Sequence, residues 1–252
     1  MLLCHGPETN ACLTQPQLAA LNKLYSGAKT STGEQVFPGY SPGGEADPAG
    51  WPLWVSGPAP GQGWIFIFAT QYFKNMVFNN PDWDFRTFDV DRDTRSADNK
   101  NAQDLNATDP DLSRFKARGG KLILYHGWSD AAIAPAAPIR YYQALQKKMG
   151  AAQAGEFVRL FMVPGMQHCA GGAGPDSFGQ QGVAAGDARH DINAALEQWV
   201  ERGEAPAEII TAKRREDGSV IRTRPLCAYP AVAQYKGSGS TDAAENFTCR
   251  VP

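Results

Sequence analysis

Apolar residues gather into two short, nearly continuous runs in the middle of the chain, residues 121–125 (KLILY) and 157–163 (FVRLFMV). Such runs, bounded by Gly119-Gly120 and Pro164-Gly165, predict buried strands. Between them Ile139, Tyr142, Leu145 and Met149 recur at helical spacing, which predicts an amphipathic helix over 139–149. Strand, helix and strand predict a βαβ unit with parallel strands. The first run leads through His126-Gly127 to Asp130, and the second leads to His168. Both polar residues are therefore expected at the carboxyl-end edge of one sheet, where open α/β sheets keep their sites.

The flanking elements follow from caps and breakers. Thr14 and Gln17 form a capping-box pattern, Pro16 suits a first helical turn, and Leu18, Leu21, Leu24 and Tyr25 share one stripe. A short helix is thus predicted within residues 13–28. Gly and Pro dominate residues 26–60, predicting a long irregular region with at most a brief strand at Val36-Phe37; such a loop is usually functional or a lid. Residues 64–90 carry an aromatic load that includes Trp64 and Phe73, read as a small helical core or as the lining of a pocket for aromatic ligands. A short helix is expected over 111–118, and a mobile Gly-rich loop over 171–186. Asp187 is read as the cap of a helix that carries Ile192, Ala195, Leu196, Trp199 and Val200 and ends at Gly203. Short strands at 209–212 and 220–225 and a polar loop at 236–245 complete the chain, with no internal repeat.

Composition narrows the function. At 252 residues the chain makes one large domain or two smaller ones. A net charge of −2 offers no basic surface for nucleic acid or an anionic membrane, and no apolar run approaches the ~20 residues of a membrane span. The opening MLLCHGPETN lacks the features of a signal peptide, so export would need a signal outside this chain. His5, His126, His168 and His190 show no clustered ligand spacing. Asp89, Asp91 and Asp93 alternate as in a calcium loop. However, Thr94-Arg95 stands where that loop needs Gly, and Lys100 where it needs Glu, so a solvated, turn-capping stretch is expected. No metal and no cofactor is predicted.

Asp130 followed by His168 is the back half of a Ser…Asp…His order, in which the Asp fixes the imidazole and the His takes the serine proton. On spacing alone, a turn-capping Asp and an ordinary loop His account for the pattern equally well. The literal G-x-S-x-G, Gly39–Gly43 around Ser41, lacks the apolar strand before it and the helix after it that a nucleophile elbow needs. Ser129, Ser177, Ser238 and Ser240 also lack that context. Of five cysteines, Cys4 with Cys12 and Cys227 with Cys249 suit two loops and leave Cys169 over; five free thiols is the alternative.

The segments HGWSDAAIAP and VPGMQHC resemble the Asp and His segments of the tannase/feruloyl esterase family, and the resemblance runs over nearly the whole chain. It implies an α/β fold: the C-terminal half of an α/β-hydrolase sheet, residues 114–252, preceded by part of a mixed, loop-rich lid domain, residues 1–113. LLCHG…ACLTQPQ and FPGYSPGGE are the lid segments that match. It implies Asp130 and His168 as catalytic residues of a serine ester hydrolase acting on small aromatic-acid esters. Ile133 then lines the cleft, and Trp64 and Phe73 are candidates to hold the aromatic ring. In that family a disulfide joins the Cys beside the catalytic His to a Cys directly before the catalytic Ser. Cys169 takes the first position, and the second has no counterpart here. The family's calcium site falls upstream of the matched part, and secretion or a periplasmic location is implied. The expectation is thus a fragment without its nucleophile and inactive alone, with a sheet edge uncovered. A non-catalytic aromatic-binding remnant and a complete esterase using Ser41 are the rivals, and oligomeric state is left open.

Overall fold

The computed structural model describes residues 2–182 and 186–252. In chain order the elements are α1 (Gln15–Ser26), β1 (Ala28–Lys29), β2 (Gln35–Phe37), α2 (Trp51–Trp54), α3 (Trp64–Gln71), α4 (Val90–Leu105), α5 (Ser113–Ala117) and β3 (Leu122–Gly127). They continue with α6 (Ala136–Met149), α7 (Ala151–Gly155), β4 (Val158–Val163), α8 (Ile192–Arg202), β5 (Glu208–Arg214), β6 (Val220–Cys227), β7 (Val232–Tyr235) and β8 (Phe247–Arg250).

The βαβ expectation holds. β3 and β4 pair in parallel from Leu122↔Val158 to Gly127↔Val163, with α6 and α7 between them. β4 is buried on both faces, as a strand under crossover helices should be. Val158, Leu160 and Met162 pack on Tyr142 and Leu145 of α6. Phe161 and Val163 join Phe178, Ile192, Ala195, Ile209 and Leu226 on the other face. The core thus lies in the second half of the chain; before residue 130 the buried apolar side chains among the described residues are Pro38, Val77 and Ala97. β5 and β6 form an antiparallel pair, as do β7 and β8, and β3 has β4 as its one strand neighbour among the described residues.

α1 carries the expected capping box, with Thr14 and Gln17 exchanging both hydrogen bonds. Three expectations are corrected. The cap of α8 is Asp191, which accepts from the Asn193 and Ala194 N–H groups, whereas Asp187 closes a separate turn with Arg189 and His190. The cap sits directly before the first apolar residue of the periodic stripe, which is Ile192. The acidic stretch at 89–93 opens α4: Asp89 caps it, and Asp93 is fully buried against Arg92 rather than solvated. The Gly-rich stretch from 171 is anchored, since Asp176 and Ser177 N–H groups donate to Ala212 O and Asp176 accepts from Gly171 N–H and Lys213 Nζ. The part of that expected mobile loop at 183–185 lies outside the described residues.

Both expected disulfides are present, Cys4–Cys12 and Cys227–Cys249, and Cys169 is a free, exposed thiol.

Candidate active site

β3 and β4 end side by side, and the loops beyond them are laced together. Trp128 N–H donates to Val163 O and Ser129 N–H to Met166 O, at 2.9 and 3.0 Å. The approach is close enough to require glycine at the end of β3. A Cβ on Gly127 would stand 2.2 Å from Met166 O and 2.6 Å from Gln167 O. This lacing brings Asp130 and His168, 38 residues apart in sequence, into direct contact: Nδ1 of His168 lies 3.0 Å from Oδ2 of Asp130.

Asp130 is 3% exposed, so its carboxylate must find its partners inside the protein. Oδ1 accepts from the N–H groups of Ala132 and Ile133 at 2.8 and 2.9 Å. Oδ2 faces His168 Nδ1 and also His126 Nε2, the latter at 3.3 Å. The His126 side chain is only 13% exposed, and its Nε2 also lies 3.0 Å from Ile133 O. The Ile133 carbonyl accepts, and the nearby carboxylate favours a donor facing it, so His126 carries its proton on Nε2.

His168 is the more open of the two histidines, its side chain 34% exposed. Its Nδ1 is committed to Asp130, and among the described residues no hydroxyl or thiol hydrogen-bonds to its Nε2. An imidazole anchored through one nitrogen with the other free is built to accept and return a proton at Nε2. The ring of Trp54 lies edge-on to it at 5.2 Å, and Trp54 in turn packs on Trp64 at 5.1 Å and Phe68 at 6.3 Å. Gln167 is buried; its Nε2 donates to Gly44 O at 3.1 Å, and its Oε1 has no hydrogen-bond partner among the described residues. Gly44 itself packs so closely that a Cβ there would lie 2.7 Å from Ser129 Cβ.

Of the residues singled out in the sequence, Asp130 and His168 meet, and Ile133 is 43% exposed one hydrogen bond away from Asp130. Trp64 reaches the site through Trp54. Phe73 packs in a separate aromatic group with Trp83, Phe78 and Phe88, at 5.5, 6.0 and 5.0 Å. Ser41 stands on irregular chain between β2 and α2, with neither a strand directly before it nor a helix directly after it. Cys169, at φ 65°, has its thiol held above the usual range by burial and then by the charge of Asp130, so it is protonated at neutral pH. His126, Trp54 and Gln167 are the residues that sequence reasoning missed.

Among the described residues no group of three or more His, Cys, Asp or Glu side chains is placed to hold a metal ion. The three alternating aspartates do not fit one: Asp89 caps α4, Asp91 accepts from Ser31 N–H, and Asp93 pairs with Arg92. No helix among the described residues is long and apolar enough to cross a membrane.

Known proteins resemble this chain along its whole length. It is 40% identical to an uncharacterized esterase of Xanthomonas campestris pv. campestris, over 99% of this chain and 48% of that one. It is 35% identical to the mono(2-hydroxyethyl) terephthalate hydrolase of Piscinibacter sakaiensis, over 100% of this chain and 44% of the other. The crystal structure of feruloyl esterase B from Aspergillus oryzae superposes with a TM-score of 0.87 at 31% identity, covering 99% of this chain and 49% of that one. The chain therefore spans about half the length of the curated relatives it matches. The sequence model described as tannase and feruloyl esterase matches residues 1–250, and with the mixed α/β fold alongside it, this chain belongs to the tannase and feruloyl esterase family.

Proposed function

We propose that this chain carries the acid–base half of a carboxylic ester hydrolase acting on esters of aromatic acids, and that the serine nucleophile comes from outside these 252 residues. One observation carries the reading: His168 is tied through Nδ1 to the buried carboxylate of Asp130, and no group among the described residues hydrogen-bonds its Nε2. In the reaction, Nε2 takes the proton as the serine oxygen attacks the ester carbonyl carbon. Asp130 stabilises the imidazolium, and Nε2 returns the proton to the departing alkoxide. Water then attacks the acyl-serine, with His168 again as the base. The aromatic acid part lies against Trp54, which flanks the imidazole, and against Trp64 and Phe68 packed on Trp54, with Ile133 on the side of Asp130.

Residues 114–252 are the catalytic half and residues 1–113 part of a lid, in keeping with the concentration of buried apolar residues after position 130. The parallel β3–β4 pair belongs to a larger hydrolase sheet that continues beyond β3. Two disulfides point to an oxidising compartment, secreted or periplasmic.

The test has two parts. The full chain alone, treated with an aryl phosphonate and an aromatic ester, should give no serine adduct and no turnover above that of its His168→Ala variant. An adduct on Ser41 that His168→Ala abolishes would overturn the reading. The chain should also replace the corresponding half of the Xanthomonas esterase. In that chimera His168→Ala should cost roughly 10⁶-fold in kcat and Asp130→Asn roughly 10⁴-fold.

A further inference from the structure

The buried carboxylate of Asp130 serves two imidazoles, and only one of them is used by the reaction above. A carboxylate offers about four acceptor positions. Two here are filled by the Ala132 and Ile133 N–H groups on Oδ1, and one by His168 Nδ1 on Oδ2. The fourth faces His126 Nε2, in polar contact 3.3 Å from the same Oδ2. Burial makes that fourth partner matter, because a charged oxygen so sealed has little water to turn to.

We propose that His126 is a positioning residue for the Asp130–His168 pair. Its Nε2–H donates to Ile133 O, and the same nitrogen faces Asp130 Oδ2 at 3.3 Å, so one imidazole turns its donor end toward the carboxylate from which the other takes its orientation. The inference rests on the reading of His168 as the base. His126 lies inside β3, and Ile133 lies in the turn beyond Asp130, so this hydrogen bond to Ile133 O braces the turn whose N–H groups hold the carboxylate. Without it, the turn loses its brace and Oδ2 loses the polar N–H facing it, so the carboxylate can shift away from His168. His126 itself is not placed to act as the base. Its side chain is the more buried of the two, and its protonated nitrogen is already spent on acceptors.

The competing account is that His126 merely staples the turn through Ile133 O. The two accounts differ in what reaches His168. In the full-length chain labelled with ¹⁵N, imidazole ¹H–¹⁵N spectra should show His126 protonated on Nε2 and His168 protonated on Nδ1. In His126→Leu, the Nδ1 proton of His168 should exchange with water at least about fivefold faster, the change expected for one lost hydrogen bond. In His126→Gln, whose side-chain amide can still donate, exchange should return to within about twofold of the original. The indole signal of Trp199, buried in the core, reports global folding in each variant. Unchanged His168 exchange in a folded His126→Leu protein overturns the inference and leaves the base reading intact. So does finding His126 protonated on Nδ1 alone in the unaltered chain, a measurement that needs no variant to fold. If His168 instead carries its proton on Nε2, the base reading itself fails.

Discussion

Gly127 sets the spacing between the two strand-end loops, and the first expectation belongs to it. A Cβ at this position would collide with backbone oxygens of Met166 and Gln167, which cannot rotate away as a side-chain tip would. Gly127→Ala should therefore lower stability by about 1–3 kcal/mol by forcing the loops apart. Urea unfolding measures it, and an unchanged midpoint would show that the loops yield freely. A second expectation concerns Glu45, which accepts from Tyr25 and from the Gly43 N–H. Burial opposes its ionisation, but these donors prevail and hold its carboxyl below the usual 4.5, while burial and Glu45 push Tyr25 up to about 12. Because the folded value is depressed, the Glu45 contribution is complete above pH 4.5 and fades as pH falls through the lower folded value. Tyr25→Phe removes the largest favourable partner, so acid loosening around residue 45 should begin at higher pH. Fluorescence of Trp51, whose ring is 5.7 Å from that of Tyr25, reads this against pH; identical acid transitions in both proteins would refute it. At this scale the sequence showed Asp130 and His168 because each follows a strand and because their segments resemble those of the tannase and feruloyl esterase family. It hid Gln167, whose partner Gly44 is 123 residues away, and Trp54, which sits in Gly/Pro-rich chain with no period to read.

Elements were legible where an apolar stripe or run marked them. β3, β4, α1 and α6 each carried one. α4 did not: VDRDTRSADNKNAQDL has no apolar face, and the helix is held by polar links, Lys100 Nζ to Val77 O and Asn101 to Met76 O. β7 and β8 were missed because each is only four residues long, β7 being mostly exposed and β8 only partly buried. The displaced cap of α8 yields a direct comparison. Asp191→Ala should cost about 1 kcal/mol of stability, whereas Asp187→Ala should leave the melting temperature unchanged. Equal effects would place the cap in error. The disulfides act at this scale too. Cys227–Cys249 joins the end of β6 to β8 across 22 residues, and Cys4–Cys12 closes only 8. Loop-closure entropy assigns about 3.4 kcal/mol to the first and about 2.5 kcal/mol to the second. Replacing each pair with serines and comparing unfolding midpoints should give the larger loss for Cys227–Cys249.

Across the whole molecule, stability is unevenly spread. β4, α8 and β5 enclose the fully buried Leu160, Phe161, Trp199 and Ile209, whereas Trp64, Phe68, Phe85 and Phe88 in the first half stay exposed. Amide hydrogen exchange should accordingly be slowest in β4 and β5 and fastest between β2 and α3. Uniform protection along the chain would contradict this division.

The single-neighboured β3 has a further consequence in the test tube. Its outer side presents a row of backbone donors and acceptors to whatever strand arrives, and a second molecule brings the same row. Solutions of this chain should therefore thicken with concentration, scattering light as molecules stack edge to edge. Handling it well becomes a matter of dilution and of a capping strand more than of temperature.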